Sequence, residues 1–160
     1  MSQMYKLTAI LAVVVCALDQ FTKWLILEVV MQPVQTFEIT GFFNIVLAFN
    51  RGVSFGLFGN DAAIMPYILS AVAAVIVVAL LVWLREQDQK ANALAVGLVV
   101  GGAIGNVIDR LRIGMVVDFL DFHLAGWHWP AFNVADTAIF LGVAVLMFAS
   151  LFGGVSEGKR

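Results

Sequence analysis

Four stretches of this chain are apolar for about as long as a helix needs to cross ~30 Å of hydrocarbon, roughly twenty residues. They are residues 7–30, interrupted by Asp19, Lys23 and Glu28; residues 64–84, which carry no charge; residues 91–110, uncharged before Asp109; and residues 135–155, charged only at Asp136. The six residues between the second and third, "REQDQK", leave room only for a helical hairpin. With 62% of residues apolar, 12% charged and a mean hydropathy of +0.97, the composition excludes an ordinary soluble domain and predicts one integral membrane domain over residues 1–160. The net charge is −2 and no stretch gathers basic residues, so no nucleic-acid partner is expected. Cys16 is a lone cysteine in an apolar run and reads as a small packing residue.

The start "MSQMYK" followed by an apolar run resembles a signal peptide, but no A-x-A-like site follows, and Val precedes Cys16 where lipoprotein processing would need a small residue. The run is therefore expected to remain as the first span. Lys6, Arg85, Lys90, Lys159 and Arg160 fall on one side of the membrane and Lys23, Arg51, Arg110 and Arg112 on the other. If the second group is retained for a site, the basic-residue bias places both termini in the cytoplasm. The connections 31–63 and 111–134 are then extracytoplasmic. "EITGFFNIVLAF", Glu38–Phe49, predicts short strands or a half-sheet on the membrane surface, "RGVSFGLFGND" predicts a turn, and the rings of "AGWHWPAF" suit the headgroup layer. Gly97, Gly101 and Gly105 recur every four residues, a spacing that lets helix backbones approach closely.

Counted at ~1.5 Å per residue from Leu7, Asp19 lies ~18 Å and Lys23 ~24 Å along the first span, one turn apart on one face and able to pair. Asn106, Asp109 and Arg110 end the third span, Asn133 and Asp136 begin the fourth, Asp118 and Asp121 lie between those ends, and Asn50 and Arg51 lie in the other outer connection. The polar residues thus converge on one face, and ionisable groups near hydrocarbon mark a functional site.

His123 and His128 beside the aspartates could suggest a metal, but H-E-x-x-H is absent. "GVSFG" matches G-x-S-x-G, yet the strand–turn–helix elbow and His base that motif requires have no room, so Ser54 reads as a turn residue. Paired carboxylates remain: held close in low dielectric, one keeps a proton while the other can activate water. Asp109 can pair with Arg110, Arg112 or Lys23; Asp118 has no basic neighbour within five residues; Asp136 can cap the fourth helix unless Asn133 does so; Asp121 reads as a surface residue.

The chain resembles the lipoprotein signal peptidases, the signal peptidase II family of aspartyl peptidases, through "DQFTK", "NRGVSFG", "GGAIGNVIDR", "VVDF" and "FNVAD" in that order. The resemblance implies an all-α membrane protein of four transmembrane helices with a small extracytoplasmic β-cradle. It implies a catalytic pair Asp118 and Asp136, with Asp19, Lys23, Asn50, Arg51, Asn106, Asp109, Arg110 and Asn133 as polar support. It further implies prolipoproteins bearing a diacylglyceryl-modified lipobox Cys as substrates, cut just before that Cys, with no metal and no cofactor. Membrane lipid is the surrounding partner, and a monomer is expected. A proton-coupled transporter is the rival reading. It would place its acids near the midplane and show paired repeats, and neither pattern is present. A non-catalytic scaffold would leave the carboxylates without purpose.

Overall fold

The structure, a computed structural model, describes residues 3–52 and 63–153. Ser54, the rest of the glycine-rich turn predicted beyond Gly52, and Lys159 and Arg160 lie outside the described residues. Helix α1 covers Gln3–Leu25 and continues as a π-turn, Ile26–Val30. Strands β1, Phe37–Thr40, and β2, Phe43–Asn50, follow. Helix α2, Met65–Trp83, ends in a 3₁₀ turn, Leu84–Glu86, and leads into α3, Lys90–Ile113. Strands β3, Val116–Leu124, and β4, Trp127–His128, precede α4, Val134–Gly153. All four helices are long and apolar enough to span a membrane.

Helix α3 is the axis of the bundle: 67% of its span is buried, against 11% for α2 and 17% for α4. Small residues make this possible. A Cβ on Gly101 would stand 2.7 Å from the Ala12 carbonyl oxygen and from the Val15 side chain, so α1 could not pack this closely against any other residue type. On the opposite side Gly102 lies against the Ala135 backbone of α4. The glycine stripe predicted to serve packing does so. Contacts of Thr8 with Ala93 and of Asp19 with Gly105 show that α1 and α3 run in the same direction, and the Thr8 hydroxyl donates to the Ala93 carbonyl at 2.8 Å. The outward faces carry Val13, Val75, Phe140 and Phe148, all at least 60% exposed, as suits surfaces meeting lipid rather than water.

The strands form one antiparallel sheet in the order β1-β2-β3-β4 at the end of the bundle where α1 and α3 finish. Half of it was expected: "EITGFFNIVLAF" forms the β1–β2 hairpin about Gly41 and Phe42. The other half was not. "VVDFLDFHL" forms β3, and the segment assigned to the headgroup layer begins with the turn at Ala125 and Gly126, φ 50° and 82°, the positive pair of a tight hairpin, and supplies β4. Ile26, Met31 and Phe119 form the small core, with Ile45, Leu120 and Val134 packed around it, that seats the sheet on the helices. In the middle of β3, Phe119 and Leu120 both donate backbone hydrogen bonds to the Phe132 carbonyl, and the β2–β3 register shifts between Ile45 and Ala48. This bulge directly follows Asp118, the kind of irregularity that re-aims side chains.

Candidate active site

Beneath the sheet, α1, α3, β3 and the start of α4 bring together the charged and amide side chains that the helices cannot leave in hydrocarbon. Asp19 and Lys23, one turn apart on α1, pair at 2.8 Å, with Asp19 fully buried and Lys23 2% exposed. Lys23 Nζ also pairs with Asp109 Oδ2 at 2.8 Å and donates to Asn106 Oδ1 at 3.0 Å, so all three ammonium protons are committed. Of the partners open to Asp109 from sequence, Lys23 is the one it takes. A buried ammonium between two carboxylates holds only if the remaining lone pairs are also satisfied. Here they are. Asp19 Oδ1 accepts from the Ala135 N–H at 2.9 Å, which caps α4, while Asp109 accepts from Gln20 Nε2 at 2.9 Å and from the Val117 N–H at 3.2 Å. The charged centre therefore fixes the start of α4 and the backbone next to Asp118.

Asn133 is the cap of α4 that the sequence suggested. Its Oδ1 accepts from the Asp136 N–H at 2.9 Å, and Asp136 Oδ2 accepts from the Asn133 N–H at 3.3 Å, a reciprocal capping box. Capping does not leave Asp136 free, because its Oδ1 also accepts from Asn106 Nδ2 at 2.7 Å. Asn133 Nδ2 donates to Asp118 Oδ1 at 2.7 Å, so one residue meets both carboxylates, Asp118 through its side-chain amide and Asp136 through its backbone N–H. Asn50 lies close enough to Asp118 to act on its charge, while its Oδ1 accepts from the Gly52 N–H at 2.7 Å.

Asp118 is 2% exposed. Its pKa is raised to about 6, first by burial and then by the charge of Asp136, against the Asn50 amide, the hydrogen bond from Asn133 and the more distant Lys23. Such a group holds or releases a proton near physiological pH. Arg110 donates from Nη1 to the Asn106 carbonyl at 3.4 Å, and its charge lies within reach of Asp136, Asp109 and Asp118; its buried Nε has no partner among the described residues. Arg51 and Arg112 are exposed, and Arg51 has no described contact with this network.

A second buried carboxylate lies on β3. Asp121, read from sequence as a surface residue, is only 6% exposed, because its register partner Asn44 donates to it at 3.0 Å and His128 Nδ1 sits 2.9 Å from it. Burial acts to raise its pKa, and the hydrogen bonds from His128 and Asn44, joined by the electrostatic effect of the two histidines, leave it lowered. Sequence reasoning also passed over Gln20, although it sits inside "DQFTK" beside Asp19.

The sequence pattern of Signal peptidase (SPase) II matches residues 11–152. The chain belongs to the signal peptidase II family. That match includes every residue of the Asp19–Lys23–Asp109 centre and of the Asp118–Asn133–Asp136 arrangement. A lipoprotein signal peptidase of Francisella tularensis subsp. mediasiatica (strain FSC147) is 42% identical over 147 residues, 89% of this chain and 90% of that protein. One from Rhodopseudomonas palustris (strain TIE-1) is 42% identical over 153 residues, 92% of this chain and 93% of that protein. Among solved structures, a bacterial membrane enzyme determined by the in meso method at 2.3 Å is 29% identical with a TM-score of 0.79, covering 96% of this chain and 92% of that one. A second, at 1.9 Å, is 31% identical with a TM-score of 0.77, covering 91% and 92%.

Proposed function

We propose that this chain, as one domain and a monomer, is the aspartic endopeptidase that removes signal peptides from diacylglyceryl-modified prolipoproteins, cutting just before the lipidated lipobox Cys. Its membership of the signal peptidase II family makes it a membrane protease. The names of its relatives support the substrate class. The observation that carries the aspartic mechanism is the desolvated Asp118, with its pKa raised to about 6, joined to Asp136 through Asn133. Asp136 accepts from Asn106 and from the Asn133 N–H, which hold its carboxylate facing the site as the proton acceptor of the pair. Asp118 then holds the proton.

In the reaction Asp136 takes a proton from a water molecule as its oxygen attacks the carbonyl carbon before the lipidated Cys. Protonated Asp118 donates to the carbonyl oxygen as it gains charge. The tetrahedral diol collapses with the C–N bond breaking: one hydroxyl returns its proton to Asp118 as the C=O re-forms, and the proton held by Asp136 passes to the leaving amine, so the pair returns to one shared proton. Lys23 binds neither reacting group; by pairing with Asp19 and Asp109 it holds α4 and β3 in place. Lys6, Arg85 and Lys90 lie at the end of the bundle opposite the aspartates, which supports cytoplasmic termini and a site at the extracytoplasmic surface. A substrate whose lipid is anchored in the outer leaflet would present its scissile bond at that depth.

The test is incubation of the purified protein in detergent with a prolipoprotein in its diacylglyceryl-modified and unmodified forms. Mobility shift of the modified form alone, blocked by Asp118→Asn, is expected. Equal cleavage of both forms would overturn the substrate assignment, and undiminished cleavage by the variant would overturn the aspartate pair.

A further inference from the structure

The far end of the bundle holds a feature that the peptidase reading does not use. A cavity of about 260 Å³ opens between the first turns of α1 and α3, lined by Gln3, Met4, Lys6, Leu7, Ile10 and Lys90. Lys6 and Lys90 are both exposed, and neither is paired with a carboxylate among the described residues. No acidic side chain lines the cavity. Leu7 and Ile10 are one turn apart on α1, so the apolar wall continues from the lysines along the helix into the span. Ile10 is 65% exposed on that wall.

We propose that this cavity binds the headgroup of an anionic phospholipid, with its phosphate between Lys6 and Lys90 and an acyl chain lying along Leu7 and Ile10. Three observations favour this occupant. The volume falls below the roughly 300–1,000 Å³ of pockets that enclose a whole small molecule, so it accommodates a headgroup and requires the chains to leave it. Two unpaired ammonium groups facing one opening repel each other, and a shared phosphate removes that repulsion. The lysines stand at the very start of two spanning helices, the depth at which a bilayer places its phosphates, and basic pockets between spanning helices are a recognised form of headgroup site. Both helices also begin here, so their positive ends reinforce the sign of the field. Binding would tie α3, the axis of the bundle, to α1 at the end remote from the aspartates.

The experiment uses the full chain in nanodiscs of phosphatidylcholine doped with phosphatidylglycerol, released into native mass spectrometry, with retained lipids counted. Phosphatidylglycerol should be retained over phosphatidylcholine by on the order of ten-fold, as expected for two lysines near the surface. The preference should vanish in Lys6→Gln/Lys90→Gln, whose folding is checked by its melting curve, and persist in Arg85→Gln, which removes an exposed cation at the same end that does not line the cavity. Excess inorganic phosphate should not displace the lipid. An unchanged preference in the double variant, an equal loss in Arg85→Gln, or displacement by phosphate alone would each overturn the site. Signal-peptide cleavage is not the readout, so failure here leaves the peptidase reading untouched.

Discussion

Asp118 and Asp121 stand three residues apart on one strand, both nearly inaccessible to solvent, and their pKa values move in opposite directions. Burial acts upward on both. The difference lies in the partners: Asp118 meets amides and the carboxylate of Asp136, whereas Asp121 meets the Asn44 amide and the imidazole of His128. A buried acid becomes a proton carrier only when its neighbours leave the charge uncompensated. The same contrast separates a site for chemistry from a clasp between strands.

The largest effects should fall on the first group. Asp118→Asn and Asp136→Asn should each lower cleavage by at least about 10³-fold, near the upper part of what a general acid or base contributes. Asp121→Asn should stay within a few-fold, and equal losses at Asp118 and Asp121 would erase the distinction. The readout is the gel shift of lipidated prolipoprotein, with melting curves to show that each variant is folded.

The setting of Asp118 was largely legible in the sequence, whereas the burial of Asp121, read as a surface residue, was not. Long apolar runs mark spans because an unpaired backbone cannot cross hydrocarbon outside a helix, and the charges left in them had few places to go. Asp19 with Lys23 followed from helix periodicity alone, and Asn133 as a cap from its spacing to Asp136. Other features depend on how strands pair, in one case across 77 residues of chain, which no local pattern encodes. Asn44 meets Asp121 across β2 and β3, and His128 reaches Asp121 only because a two-residue turn folds β4 back. The bulge after Asp118 depends on Phe132 crossing the strand, so it too was invisible.

The Lys23 centre sharpens the comparison from another direction, since it is buried charge that is fully compensated. Lys23→Met would leave Asp19 and Asp109 without their cation, at a cost of about 3–5 kcal/mol in stability. Asp109→Asn is milder, because an amide oxygen can still accept from Val117 or Gln20. It should lower both stability and activity, as the backbone beside Asp118 loosens. Loss of activity at an unchanged melting temperature would instead place Asp109 among the groups that touch substrate.

The two β3 carboxylates should also give opposite signs in stability against pH. Asp118 binds its proton more tightly folded than unfolded, so between about 4 and 6 the folded state holds a proton the unfolded chain has lost, and stability falls as pH rises. Asp118→Asn should therefore gain on the parent between pH 4 and pH 7. Asp121 has a lowered pKa, so its contribution is present above the ordinary carboxylate value and is lost as pH falls below about 4. The parent's advantage over Asp121→Asn should shrink in acid. Melting temperatures across this range decide the matter; slopes of the same sign would mean that the two environments are alike.

The smallest effect should come from the histidines. His123 and His128 stack at 4.9 Å, and His128 touches Asp121, but neither has a described hydrogen bond to Asp118, Asp136 or the residues that hold them. Histidine is the side chain most often credited with titration near neutrality, so a pH–rate profile alone does not assign its limbs to the aspartates. The double change of His123 and His128 to Gln separates them. The basic limb of kcat/KM, which follows loss of the proton shared by the aspartate pair in the free enzyme, should stay where it is, starting near pH 6. Both limbs belong to the coupled aspartates rather than to either one. Stability should fall by no more than about 1 kcal/mol, since the His128 side chain is 53% exposed and such pairs contribute little. A limb that shifts or disappears in the double variant would transfer the titration to the imidazoles and make the Asp121 cluster, rather than the Asp118 pair, the seat of the chemistry.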